Sequence, residues 1–299
     1  MEKTRAARRN GILSRAVVAG LLTLALAALV GGANAAKPNV PRFKHVLVVM
    51  LENQARDDVL GSSNAPNFNS FASHYAALSR YGGLTHPSLP NYIALVSGST
   101  HGIQDDCNDC LVSGVSLADT LRRAHLSWKT YAEGLPRPGF TGTQGSSYYS
   151  KHHVPFLYFR NVVTRRSRLL QVVPLRRFGH DLSSGRLPAF SFIVPDECHD
   201  MHDCSVATGD AWLGRFVRPL LHNPKLGRSV IFIITDEPPG DAKATDPVPA
   251  LALGPLVRPG SDYSAKMSHY GLLRTIEDAW GLPRLGRSKG AAPITGIWK

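Results

Sequence analysis

The sequence predicts an α/β fold, a mostly parallel central sheet with helices on both faces. Three observations carry it. The runs His45 to Leu51, Phe190 to Val194 and Val230 to Thr235 are short and almost wholly apolar, as strands covered on both faces must be. Between them lie stretches whose apolar residues recur at helical spacing, the clearest being Trp212, Leu213, Phe216, Val217, Leu220 and Leu221. Each run also ends in polar chemistry: Glu52-Asn53, Pro195-Asp196 and Asp236-Glu237. In sheets of this kind ligands bind outside the carboxyl ends of the strands, so the three ends nominate one site.

The first residues stand apart from this pattern. Lys3, Arg5, Arg8, Arg9 and Arg15 form a basic leader, Ala16 to Val30 carries no charge, and Ala33-Asn34-Ala35 offers small residues at cleavage spacing. This is the pattern of a secretory signal peptide over 1–35, with one large α/β-sized domain over 36–299 and a secreted or periplasmic location. A retained anchor is the competing reading, but the apolar run falls short of the ~20 residues of a spanning helix.

In chain order, 54–65 reads as a polar loop and 66–79 as a helix carrying Phe68, Phe71, Tyr75 and Leu78, broken by Gly82-Gly83. Leu89, Ile93 and Val96 then mark a second helix. Pro90 fits its first turn, where a missing N–H costs nothing, and Ser88 falls at or just before the N-cap. Ser116 caps a helix with Leu117, Leu121 and Ala124, and 127–131 reads as a strand. The stretch 134–185 is rich in Gly, Pro, Ser, Arg and aromatics with little periodicity, and reads as a long substrate-facing loop. A strand over 249–253 and a helix with Leu272, Leu273, Ile276 and Ala279, stopped by Gly281 and Pro283, complete the chain.

The formal charge is +12; the leader holds five basic residues and one acid, which leaves +8 for the remainder. Such a surface attracts phosphorylated substrates, nucleic acid or acidic lipid without choosing among them. Much of it sits at Arg160, Arg165, Arg166, Arg168, Arg176 and Arg177, either a solvated loop or a binding patch. Four cysteines in a secreted chain favour disulfides, and the short spacings favour Cys107–Cys110 and Cys198–Cys204. A four-cysteine zinc site is disfavoured because only one pair has the two-residue gap.

The strand ends supply the chemistry. Carboxylates at two strand ends can hold a divalent cation through oxygen ligands. A serine hydroxyl joined to it would be activated as a nucleophile, with phosphate charge neutralised. The helix following Ser88 turns free N–H groups toward an anion. A histidine can protonate the departing alkoxide, and His86, His152, His153, His199 and His202 are candidates, His202 being flanked by Asp200 and Asp203. Each feature alone has a bland reading as a helix cap, a turn or a loop start. Their joint placement favours a phosphate-ester hydrolase.

At these residues the chain resembles the bacterial secreted phosphoesterases that include acid phosphatases and phospholipases C. The resemblance lies in 48–53, in 85–95 (Thr85-His86-Pro87-Ser88-Leu89-Pro90-Asn91-Tyr92), in Lys151-His152-His153, Asp200-Met201-His202-Asp203, 209–213, Thr235-Asp236-Glu237 and Ser268-His269-Tyr270. The tail 292–298 is similar to that of mycobacterial-type secreted acid phosphatases acting on phosphatidylinositol 3-phosphate. The resemblance implies an alkaline-phosphatase-like fold and a phosphoserine intermediate on Ser88. It implies a divalent metal held by Glu52, Asn53, Ser88, Asp236 and Glu237. It places His152 and His202 in catalysis, and His153 and Asn91 against substrate. The implied substrate is a phosphorylated small molecule or a phosphoinositide, with transient contact to an anionic membrane and no nucleic acid. The run Pro238-Pro239-Gly240 departs from the acidic residues that family members carry there.

Three alternatives stand beside this reading. A phospholipase C-type phosphodiesterase would use the same residues. A metal-independent serine esterase lacks its Gly-x-Ser-x-Gly elbow. An anion-binding surface protein leaves the acidic strand end without a role.

Overall fold

The computed structural model describes residues 40–146 and 148–299; the expected leader over 1–35 lies outside the described residues. The strands are β1 His45–Leu51, β2 Ala76–Ala77, β3 Tyr81–Gly82, β4 Trp128–Ala132, β5 Val172–Pro174, β6 Phe190–Val194, β7 Ser229–Thr235, β8 Ala250–Leu253, β9 Ser261–Asp262 and β10 Met267–Ser268. The helices are α1 Arg56–Val59, α2 Pro66–His74, α3 Ser88–Ser97, α4 Leu117–Arg123, α5 Arg160–Val163, α6 Arg166–Leu169, α7 Arg177–Ser183, α8 Val206–Leu221 and α9 His269–Trp280.

Eight strands form one sheet in the order β5-β4-β6-β1-β7-β8-β2-β9. The five from β5 to β7 run parallel, and β8 lies antiparallel to both β7 and β2. β1 and β7 sit at its centre and every residue in them is buried, which is why both read as continuous apolar runs. Alternation along β1 divides the core. Val46, Val48 and Met50 face the side covered by α3, α4 and α9. Leu47, Val49 and Leu51 face α2, α7 and α8, meeting Phe68, Leu213 and Val217. The expected α/β architecture with both faces covered is therefore observed.

Several local expectations are corrected. The helix expected over 66–79 ends at His74, because Ala76 and Ala77 leave it to pair with β8 and β9. The stretch 134–185 is not one loop but carries α5, α6, β5 and α7, with a 3-10 turn at Pro155–Tyr158. None of these exceeds seven residues, too few for a periodic pattern to emerge. The strand expected over 127–131 runs Trp128–Ala132, and the capping box at Ser116 and Asp119 is formed. Both expected disulfides, Cys107–Cys110 and Cys198–Cys204, are present. Among the described residues no helix is long and apolar enough to cross a membrane.

The C-terminal segment is pinned from α9. Glu277 is buried, and accepts hydrogen bonds from the Leu285 N–H at 2.8 Å and the Ser288 hydroxyl at 2.6 Å. Burial pushes its pKa up from 4.5 to about 7 against those two bonds. A carboxyl raised in the folded state binds its proton more tightly there than in the unfolded chain. Its contribution is complete below about pH 4.5 and disappears as pH rises through 7. Stability should therefore fall by about 3 kcal/mol across that window. Glu277→Gln should flatten this part of the profile, as read by urea unfolding at pH 5 and pH 8.

Candidate active site

The sheet register builds the site. In the parallel pair of β1 and β7, Leu51 lies opposite Thr235, so the next residues, Glu52 and Asp236, leave the sheet side by side. The Asp236 N–H still donates to the Leu51 carbonyl at 3.1 Å, extending the ladder by one step. Asn53 turns away with φ of 48°, a left-handed conformation that asparagine tolerates, and its N–H donates to Asp236 Oδ1 at 3.3 Å. The loop after β6 closes the third side, where the Asp200 carbonyl accepts from the Glu52 N–H at 2.9 Å.

Ser88 is the first residue of α3 and is 4% exposed. Its hydroxyl donates to Glu52 Oε2 at 2.9 Å. The approach to this turn passes so close to the end of β7 that a Cβ on Gly83 would lie 2.6 Å from the Asp236 carbonyl oxygen. Only glycine fits there. Tyr92, one turn into α3, donates its hydroxyl to the other oxygen, Glu52 Oε1. His269 donates from Nε2 to the Asp236 carbonyl at 2.6 Å, which leaves its Nδ1 to accept from the Tyr81 hydroxyl at 2.7 Å. Burial holds the His269 pKa down at about 4, consistent with that neutral ring.

The electrostatics are dominated by carboxylates. Glu52, Asp200 and Asp236 are essentially without solvent exposure. Burial pushes all three well above the ordinary carboxylate range. Glu52 is raised further by Asp236 and Asp200, and Asp236 by Glu237. Glu237 is raised to about 8 by burial and then by the charge of Asp106, against its bond from Asn91. Charges of one sign in so dry a space call for protons or a cation. Three acceptor oxygens point the same way: Asn53 Oδ1, Asp200 Oδ2 and Asp236 Oδ2 are buried without a hydrogen-bond donor. Unpaired buried acceptors of this kind are costly. Carboxylate and amide oxygens are the donor set of a hard divalent cation, so the residues present fit such an ion. A second group of ligand type, Glu52, His153 and Asp200, adjoins them.

The expected site residues divide into those that meet at the centre and those that brace it. Glu52, Asn53, Ser88 and Asp236 converge. Glu237 is held by the Asn91 amide at 2.7 Å on Oε2, with His86 Nδ1 lying 3.1 Å from Oε1. Asn91 is fully buried. Its oxygen accepts from the Leu84 and Thr85 N–H groups, and its nitrogen also donates to the Thr85 carbonyl. The amide expected against substrate is thus consumed in holding the Ser88 turn onto Glu237. His153 is 1% exposed, stacked on Tyr92 at 5.1 Å, with Nε2 3.3 Å from Glu52 and Nδ1 3.4 Å from Asp200. Burial pushes its pKa down to about 3.

His152 and His202 lie nearer solvent. His152 contacts the Ser150 hydroxyl at 2.9 Å, and burial followed by the neighbouring His153 holds it at about 4. His202 contacts Asp203 Oδ1 through Nδ1 at 2.7 Å. Burial works against its charge, but Asp203, Asp200 and Glu197 outweigh it and raise its pKa above the usual imidazole value. His202 is thus the ring best kept protonated. Four contributors were not assigned a role from sequence: Tyr92, Tyr81, His269 and Asp106. Tyr92 and His269 gave a signal, through their places in shared motifs.

Fold and site together define a class, a phosphoric ester hydrolase on an alkaline-phosphatase-like fold. The chain belongs to the phosphoesterase family, whose sequence model matches residues 62–283. It is similar to a phosphatidylinositol-3-phosphatase of Mycobacterium tuberculosis, 36% identical across 95% of this chain and 93% of that protein. It is also similar to an acid phosphatase of Aspergillus fumigatus, 30% identical across 85% of this chain and 59% of that longer protein. Among solved structures it resembles an alkaline phosphatase superfamily protein from Vibrio parahaemolyticus. The TM-score is 0.58 with 12% identity, covering 86% of this chain and 72% of that one, a likeness of fold.

Proposed function

We propose that this chain is a secreted, metal-dependent phosphomonoesterase that works through a phosphoserine on Ser88. The observation that carries the reading is the Ser88 hydroxyl, at the start of α3, donating at 2.9 Å to a carboxylate of an oxygen-rich buried pocket. A divalent cation held by Glu52, Asn53, Ser88 and Asp236, with Glu237 braced beside them, would supply Lewis-acid activation and neutralise phosphate charge. Ser88 Oγ gives its proton toward Glu52 Oε2, along the bond already present, and attacks phosphorus. The bond to the ester oxygen breaks as the new Oγ–P bond forms. His202, protonated by its acidic neighbours, delivers a proton to the departing alkoxide. Water then releases inorganic phosphate by the reverse proton path, restoring Ser88. His152, packed edge-on against His153 at 4.5 Å, would serve as a second polar contact. His153 and Asn91 act by position, holding Glu52, Asp200 and Glu237 in place.

The similarity to a phosphatidylinositol-3-phosphatase favours a phosphoinositide among the substrates. Arg165, Arg166 and Arg177 are exposed, charges suited to brief contact with an anionic membrane, whereas Arg168 is committed to Asp119 at 2.6 Å. The test is a substrate panel on chelated and metal-restored protein. Restored enzyme should hydrolyse p-nitrophenyl phosphate and phosphatidylinositol 3-phosphate at least about 100-fold faster than bis-p-nitrophenyl phosphate, and chelation should remove that activity. Preference for the diester would replace the reading with a phospholipase C-type phosphodiesterase. Full activity after verified metal removal would restore the serine esterase alternative.

A further inference from the structure

The N-terminus of α3 lacks a cap of its own. The residue at the cap position is Pro87, whose side chain has no acceptor, and no side-chain cap bond is made there. The acceptor comes from 17 residues downstream. Asp106, half-buried in the loop after α3, accepts from the Leu89 N–H with Oδ1 at 2.8 Å. Pro90 has no N–H, and among the described residues no protein group accepts from the Ser88 N–H. The amides in front of the nucleophile are therefore two, one free and one taken by a carboxylate.

That carboxylate belongs to the catalytic neighbourhood. Its charge is felt by Glu237, His152 and His153. Its loop is closed by the Cys107–Cys110 bridge and tied to the histidine segment, where Lys151 Nζ donates to the Asn108 carbonyl at 2.5 Å. A helix N-terminus favours an anion in front of it. A phosphoryl group bound at Ser88 Oγ would find the same two amides beside it.

We propose that Asp106 is an internal stand-in for phosphate. Its carboxylate holds the Leu89 N–H while no ligand is bound, yields that donor to a phosphoryl oxygen when substrate arrives, and reclaims it as inorganic phosphate leaves. Asp106 is then a positioning residue that speeds product release, at the cost of weaker phosphate binding. The proposal rests on Ser88 being the nucleophile.

Asp106→Asn provides the test, because the amide oxygen can still accept from Leu89 and keep the helix end capped while the competing charge is gone. Inorganic phosphate is titrated calorimetrically into metal-loaded Ser88→Ala and Ser88→Ala/Asp106→Asn proteins, where no chemistry intervenes. The double variant should bind phosphate roughly five- to tenfold more tightly, the scale of one like charge removed at contact distance. Asp106→Asn alone should show a matching fall in the inhibition constant for phosphate and a lower kcat. Unchanged or weaker phosphate binding, as expected if Asp106 held a cation or touched substrate directly, overturns the proposal. Full activity in Ser88→Ala would instead overturn the nucleophile assignment beneath it, so the two failures are read from different measurements.

Discussion

Ser88→Ala is expected to lower kcat/KM for p-nitrophenyl phosphate by at least about 10⁴-fold while leaving a folded protein. The size follows from the role. A nucleophile takes part only in bond formation, so its loss removes transition-state stabilisation and little ground-state binding. Phosphate affinity should survive, because the helix N-terminus and the oxygen-rich pocket remain. The fold should survive too. Ser88 begins α3 but does not cap it, and the turn before it is held by Asn91, whose bonds do not involve the serine hydroxyl. What is lost structurally is one donor to Glu52, which keeps its bond from Tyr92. That loss costs about 1–3 kcal/mol at most. The checking measurements are steady-state kinetics, a thermal melt, and acid quench with labelled substrate. The quench should trap phosphoserine in the parent protein and nothing in the variant. A labelled peptide in the variant, or retained turnover, would move the nucleophile elsewhere.

How much of this centre can be read from sequence depends on how local its causes are. Glu52 and Asp236 are legible because each ends an apolar run, and a parallel sheet aligns such ends whatever the loops do. Ser88 is legible to within a residue, because the Leu89, Ile93 and Val96 stripe puts the start of α3 beside it, although the cap position falls on Pro87 and Ser88 is the first helical residue. Asn91 shows the limit. Its identity is visible beside the serine, but its work is a set of bonds to Thr85, Leu84 and Glu237 that only the folded turn defines. Tyr92 stands in the same motif as Ser88 with no role that its neighbours suggest, yet its hydroxyl lands on Glu52. Asp106 lies in a polar loop among other acids, and nothing local separates it from Asp105 or Asp109. The short elements over 155–183 escape notice for a related reason. Tertiary packing of Phe156, Phe159 and Phe178 into the core forms them, rather than their own periodicity.

Asp236→Asn should produce a combination that separates a cation pocket from an ordinary buried acid. Asp236 has no solvent exposure, one oxygen without a donor, and Glu52 and Glu237 pressing on it. If its charge exists to hold a cation, replacing it with a neutral amide should lower activity by roughly 10³-fold, through weaker metal binding and lost charge neutralisation. The protein without metal should respond in the opposite sense. One of several mutually repelling buried carboxyls is gone, and the new amide can donate toward Glu52 instead of opposing it. The chelated variant should therefore melt about 2–4 °C above the chelated parent, the shift expected for about 1 kcal/mol in a domain of this size. The metal-dependent rise in melting temperature, which reports binding by mass action, should shrink at the same time. A plain structural carboxylate would behave otherwise. Removing its charge would destabilise the protein with or without metal, leave the metal-dependent rise untouched, and lower activity only as far as unfolding does. Melts of both proteins in chelator and in millimolar divalent metal distinguish the two, and destabilisation in chelator would remove Asp236 from the cation pocket.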